Sequence, residues 1–344
     1  MGRILVVNAG STSLKLSLVE EDEAAEPVAS LEEADPGGLD AIAHRVVHGG
    51  PDFREPVLVD DAVRDTVRRL AELAPLHNAP ALRGIDEAAA ALPGVPHVAV
   101  FDTAFHATIP AEAATYAVPP RWREEWGIRR YGFHGLSVQW AAEQVPVPRL
   151  VVCHLGGGCS VTAVRDGRSV DTTMGFTPLE GVPMATRPGS LDPGALLHLL
   201  HTGRLDADAL DRALNHESGL IGLAGTADVG ELEARAGAGD DDALLALAVF
   251  AYRVAGAVAA MATALAGLDA LVFTAGIGER SATVREQVCA RLAFLGVEFD
   301  AGANRAAVPD TDVAARGSAV RVLVVHARED LVAARAARSL LAGR

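Results

Sequence analysis

Short apolar runs, each ended by a glycine-bearing polar turn, divide the chain into two halves of similar design. Arg3 to Asn8 has the continuous apolar pattern of a strand covered on both faces, and Leu14 to Val19 reads as a second strand after a Gly-Ser-Thr-Ser turn. The acidic, Gly- and Pro-containing stretch from Glu20 to Gly38 reads as a surface connection. Ala41 to His48 predicts another strand. Amphipathic spacing predicts helices near Val57 to Leu73 and Ala81 to Leu92, and Val98 to Phe101 predicts a short strand ending at Asp102. A second block opens with Arg149 to Leu155 running into Gly156-Gly157-Gly158. Ser160 to Val164 and Arg168 to Asp171 follow, joined by an Asp166-Gly167 hairpin signal. Helices are predicted at Pro193 to His201, Ala207 to Leu214 and Asp242 to Leu265. A strand follows at Ala270 to Thr274, then a Gly276-Ile277-Gly278 turn and a helix from Ala282 to Leu295. Val320 to Val325 reads as the last strand and Glu329 to Leu341 as the last helix. Strands alternating with helices, with each half opening strand–glycine turn–strand, predict an α/β protein of two domains with a cleft between them.

Composition narrows the function classes. Half of the 344 residues are hydrophobic, which excludes intrinsic disorder as a class. The balance of 30 basic against 45 acidic residues, a net charge of −15, repels phosphate backbones, so no nucleic-acid partner is expected. No apolar run of about 18 residues is uninterrupted, so no membrane partner is expected either. The N-terminal apolar run turns polar too soon for a signal peptide, which points to the cytoplasm. Cys153, Cys159 and Cys289 lack the spacing of a zinc site and suit a reducing compartment.

Three glycine-bearing turns are candidates for holding phosphates. Asn8-Ala9-Gly10-Ser11-Thr12-Ser13 offers backbone N–H groups and hydroxyls, and reads equally as a plain hairpin turn. His154-Leu155-Gly156-Gly157-Gly158 allows close backbone approach to a ligand, but is neither a Walker A loop nor a dinucleotide fingerprint. Thr274-Ala275-Gly276-Ile277-Gly278-Glu279 lies between a strand and a helix, where a helix N-terminus favours anions, or is simply a β–α connection. Asp102, at a strand end, could hold Mg²⁺ or cap the next helix. Arg45 lies in an apolar run and needs an anionic partner, from the protein or from a substrate. His134 and Arg187 have bland readings taken singly, as a structural histidine and a solvated loop charge. Together these residues compose a phosphoryl-transfer site.

In the same order, Asn8-Ala9-Gly10-Ser11, His44-Arg45-Val46-Val47-His48-Gly49-Gly50, Pro75-Leu76-His77-Asn78, Val100-Phe101-Asp102-Thr103-Ala104-Phe105-His106, Tyr131-Gly132-Phe133-His134-Gly135, Met174-Gly175-Phe176-Thr177-Pro178-Leu179-Glu180-Gly181 and Thr274-Ala275-Gly276-Ile277-Gly278-Glu279 resemble the acetate kinase family over nearly the whole chain. The resemblance implies the actin-like fold of the sugar kinases and heat-shock ATPases (ribonuclease H-like). It implies one domain from residues 1–105 plus 330–344 and a second, carrying the nucleotide site, from 106–329. The implied reaction is reversible, Mg²⁺-dependent transfer of the ATP γ-phosphoryl group to acetate, giving acetyl phosphate and ADP, with Mn²⁺ as an alternative metal and a homodimer as the assembly. By position, Asp102, Arg45, His134 and Arg187 are the implied catalytic residues, with His134 and Arg187 stabilising the transition state. Asn8, Asp102 and Glu329 are the implied metal residues. Arg45, Val47, Leu76, Phe133 and Pro178 would bind the substrate, and His77 would stand near it. Asn8, Ser11, Ser13, Lys15, His154, Gly156, Gly157, Gly158, Asp228, Gly276, Ile277 and Gly278 would bind the nucleotide.

The chain departs from that pattern at named places. It is shorter than typical members, mainly between Val19 and Ala43, which reads as a trimmed peripheral hairpin. Gly157 stands where Asn is usual, a glycine triplet shared with the butyrate kinases. Ser190 replaces an Asp that would orient Arg187, Gly230 an Arg that contacts adenine, and Arg280 an Asn. Alternative functions are a propionate or butyrate kinase of the same fold and a nucleotide-binding protein without turnover.

Overall fold

The computed structural model describes residues 2–9, 14–71 and 75–343, with the side chains of Pro36 and residues 75–77 left out. Two compact units emerge from the contacts. Met1–Thr108, Ala117–Trp140 and Arg328–Arg344 form the first, and Ile109–Tyr116 and Ala141–Ala327 the second. The first unit thus takes in more of the middle of the chain than a boundary at residue 105 would give it.

Each unit is built on a six-stranded sheet. In the first, β1 (Arg3–Ala9), β2 (Leu14–Val19) and β3 (Ala25–Val28) form an antiparallel meander. β4 (Leu39–Val46) lies parallel to β1, β6 (His97–Phe101) lies parallel to β4, and the short β5 (Val57–Leu58) closes the edge. In the second, β7 (Arg149–Leu155), β8 (Cys159–Arg165) and β9 (Arg168–Thr172) form the meander. β10 (Ala270–Thr274) lies parallel to β7, β12 (Arg321–Val324) lies parallel to β10, and β11 (Thr311–Asp312) closes that edge. The two sheets repeat one topology, so the strand–turn–strand echo in the sequence marks a repeated fold.

Alternation along β1 explains its unbroken apolar run. Ile4 and Val6 face the helix Glu329–Ala342 in a cluster with Val98, Leu331, Val332 and Ala334. Leu5 and Val7 face the opposite side, with Ala88 of the helix Pro75–Ala91 and Leu92 just beyond its end. A strand covered on both faces needs apolar residues at every position. In the second unit, the helix Asp241–Leu265 buries Ala243, Leu247, Phe250, Val254, Val258, Met261 and Leu265, a stripe at helical spacing. By length and hydropathy this helix could cross a membrane, but that stripe belongs to the core of the unit.

Several elements differ from the sequence reading for local reasons. Val57–Leu58 is an edge strand rather than helix, because it pairs with β6, and the helix starts at Asp61, where Asp60 accepts from the Val63 N–H at 2.8 Å. The acidic connection after Glu20 contains β3 and two short 3₁₀ turns. Gly276, Ile277 and Gly278 lie inside a helix, Ala275–Arg280, that begins directly at the end of β10.

Candidate functional site

In the first unit, the C-terminal ends of the parallel strands collect the charged side chains. Arg45, on β4, donates Nε to Asp102 Oδ1 at 3.1 Å and Nη2 to Oδ2 at 2.7 Å, a two-pronged pair. Its Nη1 reaches Glu329 Oε2 at 2.8 Å and Asn8 Oδ1 at 3.3 Å, while Asn8 Nδ2 donates to the same Glu329 oxygen at 3.5 Å. Residues far apart in sequence meet here because β1, β4, β6 and the helix opening at Glu329 end together. The Asp102 side chain is 0% exposed, and those of Arg45 and Glu329 only 16%. Burial alone would lower the Arg45 pKa, but the two carboxylates outweigh it and drive it upward, so the guanidinium is permanently charged. With Arg45 counted, Asp102 and Glu329 leave one net negative charge.

Among the described residues no group of three or more His, Cys, Asp or Glu is arranged to hold a metal. Asn8, Asp102 and Glu329 instead supply an amide oxygen and two carboxylates. That hard-oxygen set fits an Mg²⁺-class ion, which is held through one or two carboxylates and keeps waters and substrate phosphates as its other ligands.

His134 stands beside this cluster for a backbone reason. An added Cβ at Gly135 would lie 1.9 Å from the Asp102 carbonyl oxygen, so only glycine permits that approach. His134 itself has φ of +59°, a strained value for a residue with a side chain and one concentrated at functional sites. Phe133 is buried and packs edge-on to His48, ring centroids 5.3 Å apart, while Val47 is half-buried. His48 and Asn78 form a buried reciprocal pair that sequence reasoning missed. Asn78 Oδ1 accepts from the His48 N–H and Nδ2 donates to the His48 carbonyl, both at 2.9 Å. His48 Nδ1 accepts from the Gly50 N–H at 2.9 Å, which fixes its tautomer. The only sequence signal was that both residues fall within the ordered segments His44 to Gly50 and Pro75 to Asn78. Ser11 and Ser13 lie outside the described residues, as do the side chains of Leu76 and His77. Lys15 is exposed on β2, opposite Asn8 in the β1–β2 register.

In the second unit, His154, one residue before the end of β7, lies opposite Thr274 of β10, so the triple glycine and the helix Ala275–Arg280 leave adjacent strands at the same end. The loop Gly156–Gly158 is held by the Gly156 N–H on the Gly158 carbonyl at 3.0 Å and by the Ala185 N–H on the Gly157 carbonyl at 3.2 Å. Nothing lies within 4 Å of a Cβ added at Gly157. Arg187 is largely buried and donates Nη1 to the Pro178 carbonyl at 2.9 Å. It has no carboxylate partner among the described residues, and burial lowers its pKa, opposed by Cys159. Ser190 is occupied instead with the Gly181 N–H at 3.2 Å. A Cβ at Gly219 would lie 2.2 Å from the Met184 carbonyl oxygen and 2.7 Å from that of Arg187, so the Arg187 loop is pinned by close backbone packing. The loop bearing Pro178 has a second anchor. Tyr116 Oη donates to Glu180 Oε2 and accepts from the Phe176 N–H at 3.1 Å.

On the nucleotide residues, Asp228 caps the helix Val229–Gly237, accepting from the Gly230 N–H at 2.8 Å and the Glu231 N–H at 3.2 Å. A Cβ at Gly276 would meet the Arg280 Nη2 at 3.0 Å, so the Arg280 guanidinium folds back over the glycine helix. Arg285, buried, was not singled out from the sequence. It donates Nη1 to the carbonyls of Gly278 and Glu279 at 2.9 and 2.8 Å, fixing the end of that helix. The arrangement offers buried charge at strand ends in one unit, and glycine backbone with a largely buried arginine in the other, the parts phosphoryl transfer uses.

Comparison with known proteins agrees. The family model of the acetokinase family matches residues 28–335. An acetate kinase of Cyanothece sp. is 46% identical over 304 residues, covering 86% of this chain and 74% of that protein. One of Synechococcus sp. is 48% identical over 314 residues, covering 89% and 77%. Among solved structures, a propionate kinase from Francisella tularensis superposes with a TM-score of 0.89 at 34% identity, covering 98% of this chain and 99% of that one. The Porphyromonas gingivalis acetate kinase gives 0.87 at 32% identity, covering 99% and 100%. The two repeated sheets are therefore the actin-like architecture of these enzymes, and the chain belongs to the acetokinase family.

Proposed function

We propose that the protein transfers a phosphoryl group in line between an adenine nucleotide and acetate, forming acetyl phosphate and ADP or running in reverse. The observation that carries this reading is the buried Asn8–Arg45–Asp102–Glu329 cluster, where a guanidinium fixes two carboxylates at strand ends. A carboxylate substrate is ionised at neutral pH and is itself the nucleophile, so the residues need only position it and neutralise charge. Arg45 and Arg187 hold the substrate carboxylate and the transferring phosphoryl group, and Arg187 suits this because no carboxylate among the described residues engages it. His134 donates to the equatorial phosphoryl oxygens. Val47, Leu76, Phe133 and Pro178 enclose the methyl group. The glycines at 156–158 and 276–278, with His154, take the nucleotide phosphates. Asn8, Asp102 and Glu329 hold a divalent ion, Mg²⁺ with Mn²⁺ as the alternative, which when bound neutralises charge on the nucleotide phosphates.

Propionate is the second acceptor to consider, since a propionate kinase superposes so closely. One methylene in an apolar pocket changes specificity by about 1–3 kcal/mol. Initial rates with acetate, propionate and butyrate at saturating MgATP test the reading. It expects kcat/KM highest for acetate, and a maximum at butyrate, or no transfer to any of the three, contradicts it.

A homodimer and a cytoplasmic location complete the proposal. The helix Pro193–His201 is rich in leucine yet buries no residue, with Leu197 52% and Leu200 36% exposed, a face suited to a second copy of the chain. Leu197→Glu is expected to yield monomer by light scattering. The three cysteines are free, buried thiols, in keeping with a reducing compartment.

A further inference from the structure

We propose that a recess in the first unit is a second anion site, built for a compact oxyanion and made of residues the transfer reaction does not use. The recess is formed by the loop after β4, the 3₁₀ turn Ala104–Thr108 after β6 and the segment 129–131, has a cavity volume of about 30 Å³ and opens to solvent. It therefore lies at the carboxyl ends of parallel strands, where open α/β sheets bind ligands. Arg54, Arg129 and Arg130 line it together with Thr103, His106 and Tyr131, and no carboxylate does. Three arginines line it in a chain whose net charge is −15. Arg3, Arg64, Arg149 and Arg335 each pair with an acidic side chain, whereas Arg54 and Arg129 make no ion pair with a described carboxylate.

The walls are fixed in advance. Arg129 Nε donates to the Arg130 carbonyl at 3.3 Å, and its guanidinium lies over the Tyr131 ring, 5.8 Å from the centroid, so the charge is held in place. Thr103 Oγ1 accepts from the Gly49 N–H at 2.9 Å, and His106 Nε2 bonds the Phe133 carbonyl at 2.9 Å. A planar guanidinium presents paired N–H donors that match phosphate and carboxylate oxygens. Phosphate and dicarboxylate share this chemistry, and the experiment separates them.

Hydrogen exchange on the full chain at low ionic strength, with inorganic phosphate in one arm and succinate in the other, tests the site. Arg54→Ser/Arg129→Ser removes two of the three cations without touching a residue assigned to transfer, so the transfer rate in the absence of these anions is expected to be unchanged. At least one anion should slow exchange in peptides spanning 50–54 and 129–131 of the wild type. Its apparent affinity at those peptides should fall about tenfold or more in the variant, the loss expected when charged hydrogen bonds are removed. The anion that protects at lower concentration identifies the ligand class. Should the serine variant fail to fold, Arg54→Lys/Arg129→Lys keeps the charge, removes the fork, and is expected to weaken binding severalfold. Absence of protection in both segments with both anions overturns the proposal, as does protection that the substitutions leave unchanged.

Discussion

Arg45→Ala removes a cation that both Asp102 and Glu329 contact. Both Asp102 oxygens are engaged by that guanidinium and the side chain has no exposure, so the substitution takes this cation away from a buried carboxylate and from a second one close by. The local charge goes from one net negative to two. Breaking a buried pair from one side costs about 3–5 kcal/mol, against a total stability of about 5–15 kcal/mol for a domain. Arg45→Ala is therefore expected to lose stability as well as turnover. Arg45→Ala/Asp102→Asn, which removes the buried charge as well, should recover most of the lost stability and none of the activity. Urea unfolding followed by circular dichroism, run beside an ATP-forming assay on the same preparations, measures each quantity. A single variant as stable as wild type, or a double variant no more stable than the single one, would refute the assignment of Arg45 as a partner that makes these buried carboxylates tolerable.

Acid should destabilise the fold through His44 and His106, which burial holds down at about 3 and about 4. Both stay neutral in the folded protein while the unfolded chain protonates near pH 6.5, so stability is flat above that pH and falls below it. By pH 5 each histidine removes about 2 kcal/mol. His44→Phe, which keeps the stack on His97, should flatten that slope, and an unchanged slope between pH 7 and pH 5 counts against the reading. Gly157→Asn should leave the Tm within about a degree, because its Cβ enters open space, whereas Gly135→Ala should abolish activity by colliding with the Asp102 carbonyl. A destabilised Gly157→Asn or an active Gly135→Ala contradicts the packing described. Tyr116→Phe removes the donor to Glu180 and loosens the Pro178 loop, so KM for acetate should rise severalfold with a smaller change in kcat; equal KM values would detach this anchor from substrate binding.

The sequence made the buried elements legible where one rule governed them. The runs at β1, β7 and β10 need apolar residues on both faces, and the helix Pro193–His201 is bounded by an Asp cap and a proline at its first turn, so each was readable from pattern alone. Val57–Leu58 was not, because its strand state comes from pairing with β6, and neither was the helix at Ala275, since glycines at a strand end read as a turn. At the site, Arg45 was recognisable as a buried cation in need of an anion, but pattern could not decide between protein and substrate. The structure gives it two protein carboxylates, one 57 and the other 284 residues away, a meeting set by sheet topology. The strain at His134 and the His48–Asn78 pair were likewise invisible, since both depend on how loops from different strands fit together.

The most direct test of phosphoryl transfer to a carboxylate is ³¹P NMR of acetyl phosphate with ADP and Mg²⁺, using wild type beside Arg187→Ala, whose loop is held by backbone contacts the substitution leaves in place. The account predicts that the wild type converts the acetyl phosphate signal stoichiometrically into the γ-phosphate of ATP, and that the folded Arg187→Ala does so slower by orders of magnitude. Acetyl phosphate that disappears only into inorganic phosphate, or transfer at equal rates in both proteins, would contradict it.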